Sequence, residues 1–296
     1  MASPEVPFPL SPDLRDQTLA RLGFSAPPRT DLEGLGALYA AWCAKVPFDN
    51  VRKMIALRTA TNQALPGGQA HDFLSSWLRD GTGGTCWPSS NALVELACSL
   101  GFEAQRIVGC MRDMGVVSHA SVRFRVDGKF WLADTSLLTN APLPLDAHVF
   151  VHSDPIFAAE IEPVPGGKHR LWVDLPPNLA YMPCLLLADP ASHALYLSSY
   201  EASRESGPFN QRLYARRNRP GELLVLMGHT RYSKTASGLV ARELDAPGIL
   251  QALSTDVGLS DRIIDEWVRC GGLEASLAPP AGPKPPPLDG LPPSKR

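Results

Sequence analysis

The sequence predicts an α+β protein, on two changes of hydrophobic period and one hairpin signal. Up to about Leu100 the apolar residues recur at helical spacing, from Gln105 they alternate with a period of two, and near Ile249 the helical spacing returns. Asp127-Gly128 sits between alternating runs at Val116–Val126 and Lys129–Asp134, and it is the strongest short-range hairpin signal a sequence carries.

The elements follow in order. Ser11-Pro12 opens a short helix that Gly23 closes. Thr30-Asp31-Leu32-Glu33 has the form of a capping box, after which Leu35, Leu38, Tyr39 and Trp42 recur at helical spacing. A third helix is expected near His71–Asp80, with Phe73, Leu74, Trp77 and Leu78 on one side and Gly81 after it. A fourth is expected from Ser89 to Leu100, with Ala92, Leu93, Leu96 and Ala97 as its apolar side and Gly101 as its stop. Beyond the hairpin, strand-like runs lie at His169–Val173, Pro183–Leu187, Gln211–Arg217, Leu223–His229 and Leu239–Glu243. Ile249–Val257 and Ser260–Cys270 read as helices. Leu277–Arg296 is rich in proline with little to bury, and is expected to be a disordered tail.

With 296 residues the chain is long for one ordinary domain, so two or three modules sharing a core are expected. A net charge of −2 gives no electrostatic case for nucleic acid or an anionic membrane as a partner. Met1–Leu22 lacks the apolar stretch of a signal peptide, and no segment approaches the roughly 20 apolar residues that span a bilayer. A cytoplasmic protein is the expectation. The six cysteines form no C-x-x-C pair and no regular framework, so free thiols are expected.

One cysteine stands apart. In Gly83-Gly84-Thr85-Cys86-Trp87-Pro88 two glycines relax the backbone, and a proline stands where a helix would begin. A thiol at a helix N-terminus meets unpaired backbone N–H groups and the positive end of the dipole, which favour the thiolate. The same residues also fit a glycine loop that merely turns the chain, with Cys86 as buried filler. A phosphate-binding loop fits less well, because no Lys-Ser or Lys-Thr follows.

A reactive cysteine needs a base, and the hairpin offers one of the seven histidines. If Asp127-Gly128 is a two-residue turn, Val126 faces Lys129, Ser121 lies opposite Asp134, and His119 lies opposite Ser136. His119 and Asp134 are then diagonal neighbours on one face, roughly 7–8 Å apart along the backbone and within side-chain reach. A carboxylate there can hold one imidazole nitrogen and leave the other for the thiol. Ala120, Val122, Phe124, Trp131 and Ala133 form the opposite, core-like face. An exposed histidine near an unrelated strand-end aspartate is the plain alternative, and a three-residue loop would reverse the parity. A zinc site fits poorly, since no second Cys or His stands at ligand spacing.

Together these residues resemble the arylamine N-acetyltransferase family. Its Arg-Gly-Gly-x-Cys motif is similar to Thr82-Gly83-Gly84-Thr85-Cys86, and its IPFEN segment to Val46-Pro47-Phe48-Asp49-Asn50. Its histidine strand resembles Ser118-His119-Ala120-Ser121-Val122, and its aspartate block resembles Leu132-Ala133-Asp134-Thr135-Ser136-Leu137-Leu138. A PLPL follows at Pro142–Leu145, and Ser206-Gly207-Pro208-Phe209-Asn210 looks like the start of the family's third region. The resemblance runs from about Pro9 to Trp267.

It implies a helical domain at 1–101 carrying the nucleophile, a β-barrel domain at 102–205 carrying His and Asp, and an α/β lid domain at 206–275. The tail is then 276–296, and the core is of the cysteine-protease and transglutaminase kind. It also implies a Cys86–His119–Asp134 triad, acetyl-CoA as acyl donor, an aromatic amine or hydrazine as acceptor, ping-pong kinetics through a cysteine thioester, and no metal. CoA-contacting residues are not implied.

Four positions depart from the family pattern. Thr82 replaces its Arg, Pro88 its Glu or Gln, Ser90 its Asn (Asn91 is one place late), and Ser136 its Gly. They leave room for an amide synthase of the same ancestry, which takes a longer acyl chain from a carrier or CoA. A transglutaminase-like enzyme shares the triad order but does not explain Val46–Asn50, and a binding module with a dead site is the remaining reading.

Overall fold

A computed structural model describes residues 10–59, 62–146, 148–177, 181–280 and 290–296. The helical part comprises α1 (Pro12–Leu22), α2 (Leu32–Lys45), a two-residue strand β1 (Phe48–Asp49), α3 (Val51–Thr59), α4 (Ala70–Asp80) and α5 (Cys86–Ser99). Next come β2 (Glu103–Met111), β3 (His119–Val126), β4 (Lys129–Ala133), β5 (Leu143–Pro144), β6 (Phe150–His152), β7 (Ala159–Val164), β8 (Lys168–Asp174) and β9 (Tyr181–Leu186). After α6 (His193–Ala202) come β10 (Tyr214–Arg219), β11 (Glu222–Met227), β12 (Thr230–Thr235) and β13 (Gly238–Glu243). The last helices are α7 (Ala246–Gln251), which runs into a π-helical turn at Ala252–Val257, then α8 (Asp261–Arg269) and α9 (Gly272–Leu277).

Local chemistry explains most helix ends. Ser11 caps α1 through its hydroxyl, and Gly23 ends it in the left-handed region. The capping residue of α2 is Asp31 rather than Thr30: its carboxylate accepts the Gly34 N–H at 2.8 Å, while Glu33 is drawn to Arg29 at 2.5 Å instead of reaching back. α5 starts at Cys86, three residues before the expected Ser89. Pro88 is still in the first turn, where a helix has no use for an N–H, so the ring is tolerated.

Strands β2 to β9 with the short edges form one antiparallel sheet in the order β5-β4-β3-β2-β9-β8-β7-β6. Its two edge strands approach each other, giving a nearly closed, barrel-shaped sheet that fits the expected α+β class. One core joins α1, α2, α4 and α5 to the sheet face bearing Ala120, Val122, Phe124 and Ala133. The other face encloses Ile107, Leu132, Ile161, Leu171 and Leu186. The remaining sheet has the order β1-β10-β11-β12-β13, so Phe48–Asp49 from the helical part is an edge of it. α3 packs into that third core beside Leu224, Leu253, Ile263 and Trp267.

The expected disordered tail needs a correction. Residues 281–289 lie outside the described residues, but 290–296 lie on β7 and β8. There the Arg296 guanidinium meets Glu162 at 2.8 and 3.0 Å, and the Ser294 N–H donates to Glu160 at 2.9 Å. Two buried carboxylates give this polar segment partners that its composition did not suggest.

Candidate active site

The loop that leads into Cys86 is built from the helical part outward. β1 sets Asp49 beneath the glycines, where its two oxygens accept the Gly83 N–H at 2.6 Å, the Val51 N–H at 3.0 Å and the Thr82 hydroxyl at 3.0 Å. Gly83 passes so close to Pro47 that a Cβ would lie 1.8 Å from its carbonyl oxygen, so only glycine fits. Gly84 is pressed against Pro88 and Phe73, and Phe48 bridges to it. This leaves Cys86 as the first residue of α5, only 7% exposed.

The hairpin delivers the other two side chains. Asp127 and Gly128 both have positive φ (50° and 75°), as a two-residue turn of this hand requires, and Val126 pairs with Lys129 through to Val122 with Ala133. His119 opens β3 and Asp134 follows the last residue of β4, so both lie at the end of the hairpin away from the turn. His119 Nε2 is 2.6 Å from Asp134 Oδ2. Asp134 Oδ1 accepts the N–H groups of Ser136 and Leu137, each at 2.9 Å.

Burial by itself would push the His119 imidazole down. The Asp134 charge and hydrogen bond, together with a hydrogen bond and charge from Cys86, override it and hold His119 raised to about 10. Burial likewise pushes Asp134 up, and His119 with the Leu137 N–H reverses this and holds it below the usual carboxylate range. His119 and Asp134, both named from sequence, are thus in contact, and Cys86 lies near enough to contribute to the shift of His119. The other five thiols are each pushed up by desolvation, Cys43 to about 12.

Sequence reasoning missed what stands behind Asp134. Arg216 of β10 is 1% exposed and donates to the carbonyls of Ser136 (3.1 Å) and Leu137 (2.5 Å), the residues whose N–H groups hold Asp134. Tyr39 donates to the Asp134 carbonyl at 2.6 Å. Asn50 ties the Ser206–Asn210 region to the loop, donating to the Phe209 and Arg212 carbonyls at 2.9 and 2.7 Å. Three of the four departures are also accounted for locally. Thr82 bonds Asp49, Pro88 packs on Gly84, and Ser90 Oγ donates to the Ala120 carbonyl at 3.0 Å and lies 2.9 Å from the Thr135 hydroxyl. Asn91, one place on, instead bonds Gly68 and Arg106. Among the described residues no group of three or more His, Cys, Asp or Glu could hold a metal ion, and no helix is long and apolar enough to cross a membrane.

A fold of this shape has counterparts among solved structures. The arylamine N-acetyltransferase of Mycobacterium smegmatis is 19% identical, with a TM-score of 0.73 over 85% of this chain and 95% of that one. That of Salmonella typhimurium is 18% identical, with a TM-score of 0.72 over 88% of this chain and 99% of that one. That of Mycobacterium marinum, solved in complex with CoA, is 16% identical, with a TM-score of 0.73 over 88% of this chain and 96% of that one. The chain has the arylamine N-acetyltransferase fold. No protein-family model and no curated protein matches its sequence.

Proposed function

We propose that the protein is an acyltransferase that moves an acetyl or other acyl group from a CoA thioester to an aromatic amine or hydrazine. The observation that carries this is the contact of His119 with both Asp134 and Cys86 at the N-terminus of α5. The Cys86 thiolate, paired with the His119 imidazolium, attacks the thioester carbonyl, and N–H groups at the start of α5 receive the developing oxyanion. The CoA thiolate leaves with the His119 proton. The amine nitrogen then attacks the Cys86 thioester, His119 takes its proton, and the amide departs as the thiolate is regenerated. Asp134 holds the ring and its charge throughout. The likeness to a fold solved with CoA supports the donor class.

An amide synthase acting on a longer acyl chain is the second reading, favoured by Pro88 and Ser90, which stand near the start of α5 in place of the family's Glu or Gln and Asn. Incubating the protein with acetyl-CoA alone should add one acetyl mass at Cys86, and an arylamine should discharge it. Cys86→Ala should take no label and keep its fold. Labelling by long acyl thioesters but not acetyl-CoA selects the synthase; no adduct from any thioester leaves only a binding module.

A further inference from the structure

Past the hairpin, residues 134–140 take a shape that their own side chains disfavour. Leu138 and Asn140 have φ of 48° and 62°, and a leucine in the left-handed region is costly unless its surroundings hold it there. The holding groups come from β10. Arg216 and Asn218 are two apart on that strand and share one face. Arg216 donates to the Ser136 carbonyl at 3.1 Å and the Leu137 carbonyl at 2.5 Å, and Asn218 donates to the Leu138 carbonyl at 2.7 Å and to Asn140 Oδ1 at 2.9 Å. β10 also pairs Arg216 with Phe48, which is bridged to Gly84, two residues before Cys86. One strand therefore underlies both the loop that leads into Cys86 and the segment that begins at Asp134.

The two carbonyls that Arg216 holds are the far ends of the groups that hold Asp134. The Ser136 carbonyl and the Leu137 N–H belong to one peptide group, and that N–H donates to Asp134 Oδ1 at 2.9 Å. The Leu137 carbonyl and the Leu138 N–H belong to the next, and that N–H donates to the Asp134 carbonyl at 3.0 Å. Each peptide group thus has the guanidinium at its oxygen and Asp134 at its nitrogen. Hydrogen bonds in such a chain polarise and strengthen one another, most of all away from water. Arg216 is 1% exposed, keeps its charge as buried guanidinium groups do, and has no carboxylate within ion-pair distance among the described residues. Tyr39 and Cys43 of α2, Cys184 of β9, Tyr196 of α6 and Tyr214 of β10 surround the two side chains, and desolvation holds each of them neutral. Asp134 is left with His119 as its direct cation and Arg216 as the one behind the two peptide groups.

We propose that Arg216 is a positioning residue of the acyl transfer, which holds Asp134 toward His119 through these two peptide groups. The proposal rests on Cys86, His119 and Asp134 acting as one catalytic unit. Arg216 touches no substrate and no reacting atom. Its work is to keep a segment with two left-handed residues in the one shape that aims the Asp134 carboxylate at the ring, from a strand that also carries the loop of Cys86. Without it the segment is free to relax, and His119 loses the close carboxylate that favours its charged form.

The sign of one measurement isolates this role. The ring nitrogens of His119, assigned by their absence from His119→Gln, are followed by NMR against pH, and the wild-type ring should keep its proton up to about 10. Two cations repel, so by direct action alone the loss of Arg216 would move the His119 midpoint up; only the loosening of Asp134 moves it down. Arg216→Met should lower the midpoint by about one pH unit, and Arg216→Lys, which keeps the charge without the fork, should lower it by less. In an Asp134→Asn background Arg216→Met should lower it no further. A merely structural role costs melting temperature and leaves the midpoint of the folded protein alone. Should Arg216→Met fail to fold, Arg216→Lys decides. An unchanged or raised midpoint, or a further drop of the same size in Asp134→Asn, overturns the proposal while leaving acylation of wild-type Cys86 untouched. No acyl adduct at wild-type Cys86 from any thioester overturns the catalytic reading, and with it any part for Arg216 in the reaction.

Discussion

Asp49 under the loop that leads into Cys86 and Asp134 at the end of the hairpin are a matched pair of carboxylates. Each is 1% exposed, and each accepts two backbone N–H groups and one side-chain donor. Burial pushes both up. For Asp49 the opposing donors, led by the Gly83 N–H, do not win, and it stays raised; for Asp134 the His119 imidazolium reverses the outcome and it is lowered. Desolvation of a carboxylate is offset by a partner cation more readily than by neutral donors of equal number. So the Asp49 region is a clamp whose value lies in geometry, and the Asp134 region is one whose value lies in charge.

Exchanging each carboxylate for an amide should separate these roles. Asp134→Asn can keep its oxygen toward the Ser136 and Leu137 N–H groups, but it must then turn an NH2 toward His119 and force the wrong tautomer. Acyl transfer should fall by about four orders of magnitude with the fold intact. Near-normal turnover in Asp134→Asn would reduce Asp134 to a strand-end residue. Asp49→Asn cannot be accommodated in this way, because both oxygens face donors and one must become NH2. It should cost about 1–3 kcal/mol of stability, measured by denaturant unfolding, with a smaller loss of Cys86 labelling in the protein that remains folded. Equal stability losses in the two variants would erase the distinction.

pH gives the same comparison opposite signs. Asp134 has a depressed folded pKa, so its contribution is present above the unfolded value of about 3.9 and is lost as pH falls through the folded one. His119 is raised to about 10, so its share is full below about 6.5 and is lost as pH rises through about 10. Asp49 is raised, so its contribution is present below about 3.9 and is lost as pH rises through its folded value. On acidification the wild type's advantage in melting temperature over Asp134→Asn should shrink, while its advantage over Asp49→Asn should grow. Parallel curves for the two variants would break the argument.

The charge-bearing region was legible in the sequence and the clamp was not, for a physical reason. A two-residue turn fixes the register of a hairpin, and register fixes which side chains are neighbours, so His119 and Asp134 could be paired from spacing alone. Asp49 meets Thr82 across 33 residues, Arg216 meets Ser136 across 80 and Lys53 meets Ser203 across 150, and no local period encodes such contacts. The missed elements have the same origin. α3 buries Lys53 along with Val51, Met54 and Ile55, which interrupts its apolar stripe, and α6 buries only Tyr196 and Tyr200. β7 carries Glu160 and Glu162, which read as solvent-facing, and both are buried where residues 290–296 lie on them.

Glu162 extends the comparison to a buried carboxylate whose cation Arg296 is half exposed. Burial raises it, and Arg296 with Trp172 and Arg170 outweighs this and holds it low. Arg296 meets it with two nitrogens and lies 5.8 Å from the centre of the Trp172 ring, yet the Arg296 side chain is 50% exposed. Water and salt therefore screen this pair as they cannot screen His119 and Asp134. Removing residues 290–296 should cost about 1 kcal/mol or less, a drop of about 2–4 °C at most in a chain of this size. The difference should vanish in molar salt, and labelling of Cys86 should be unaffected. A loss of ten degrees or more, or slower labelling, would mean that exposure of the cation is not what weakens a carboxylate pair in this fold.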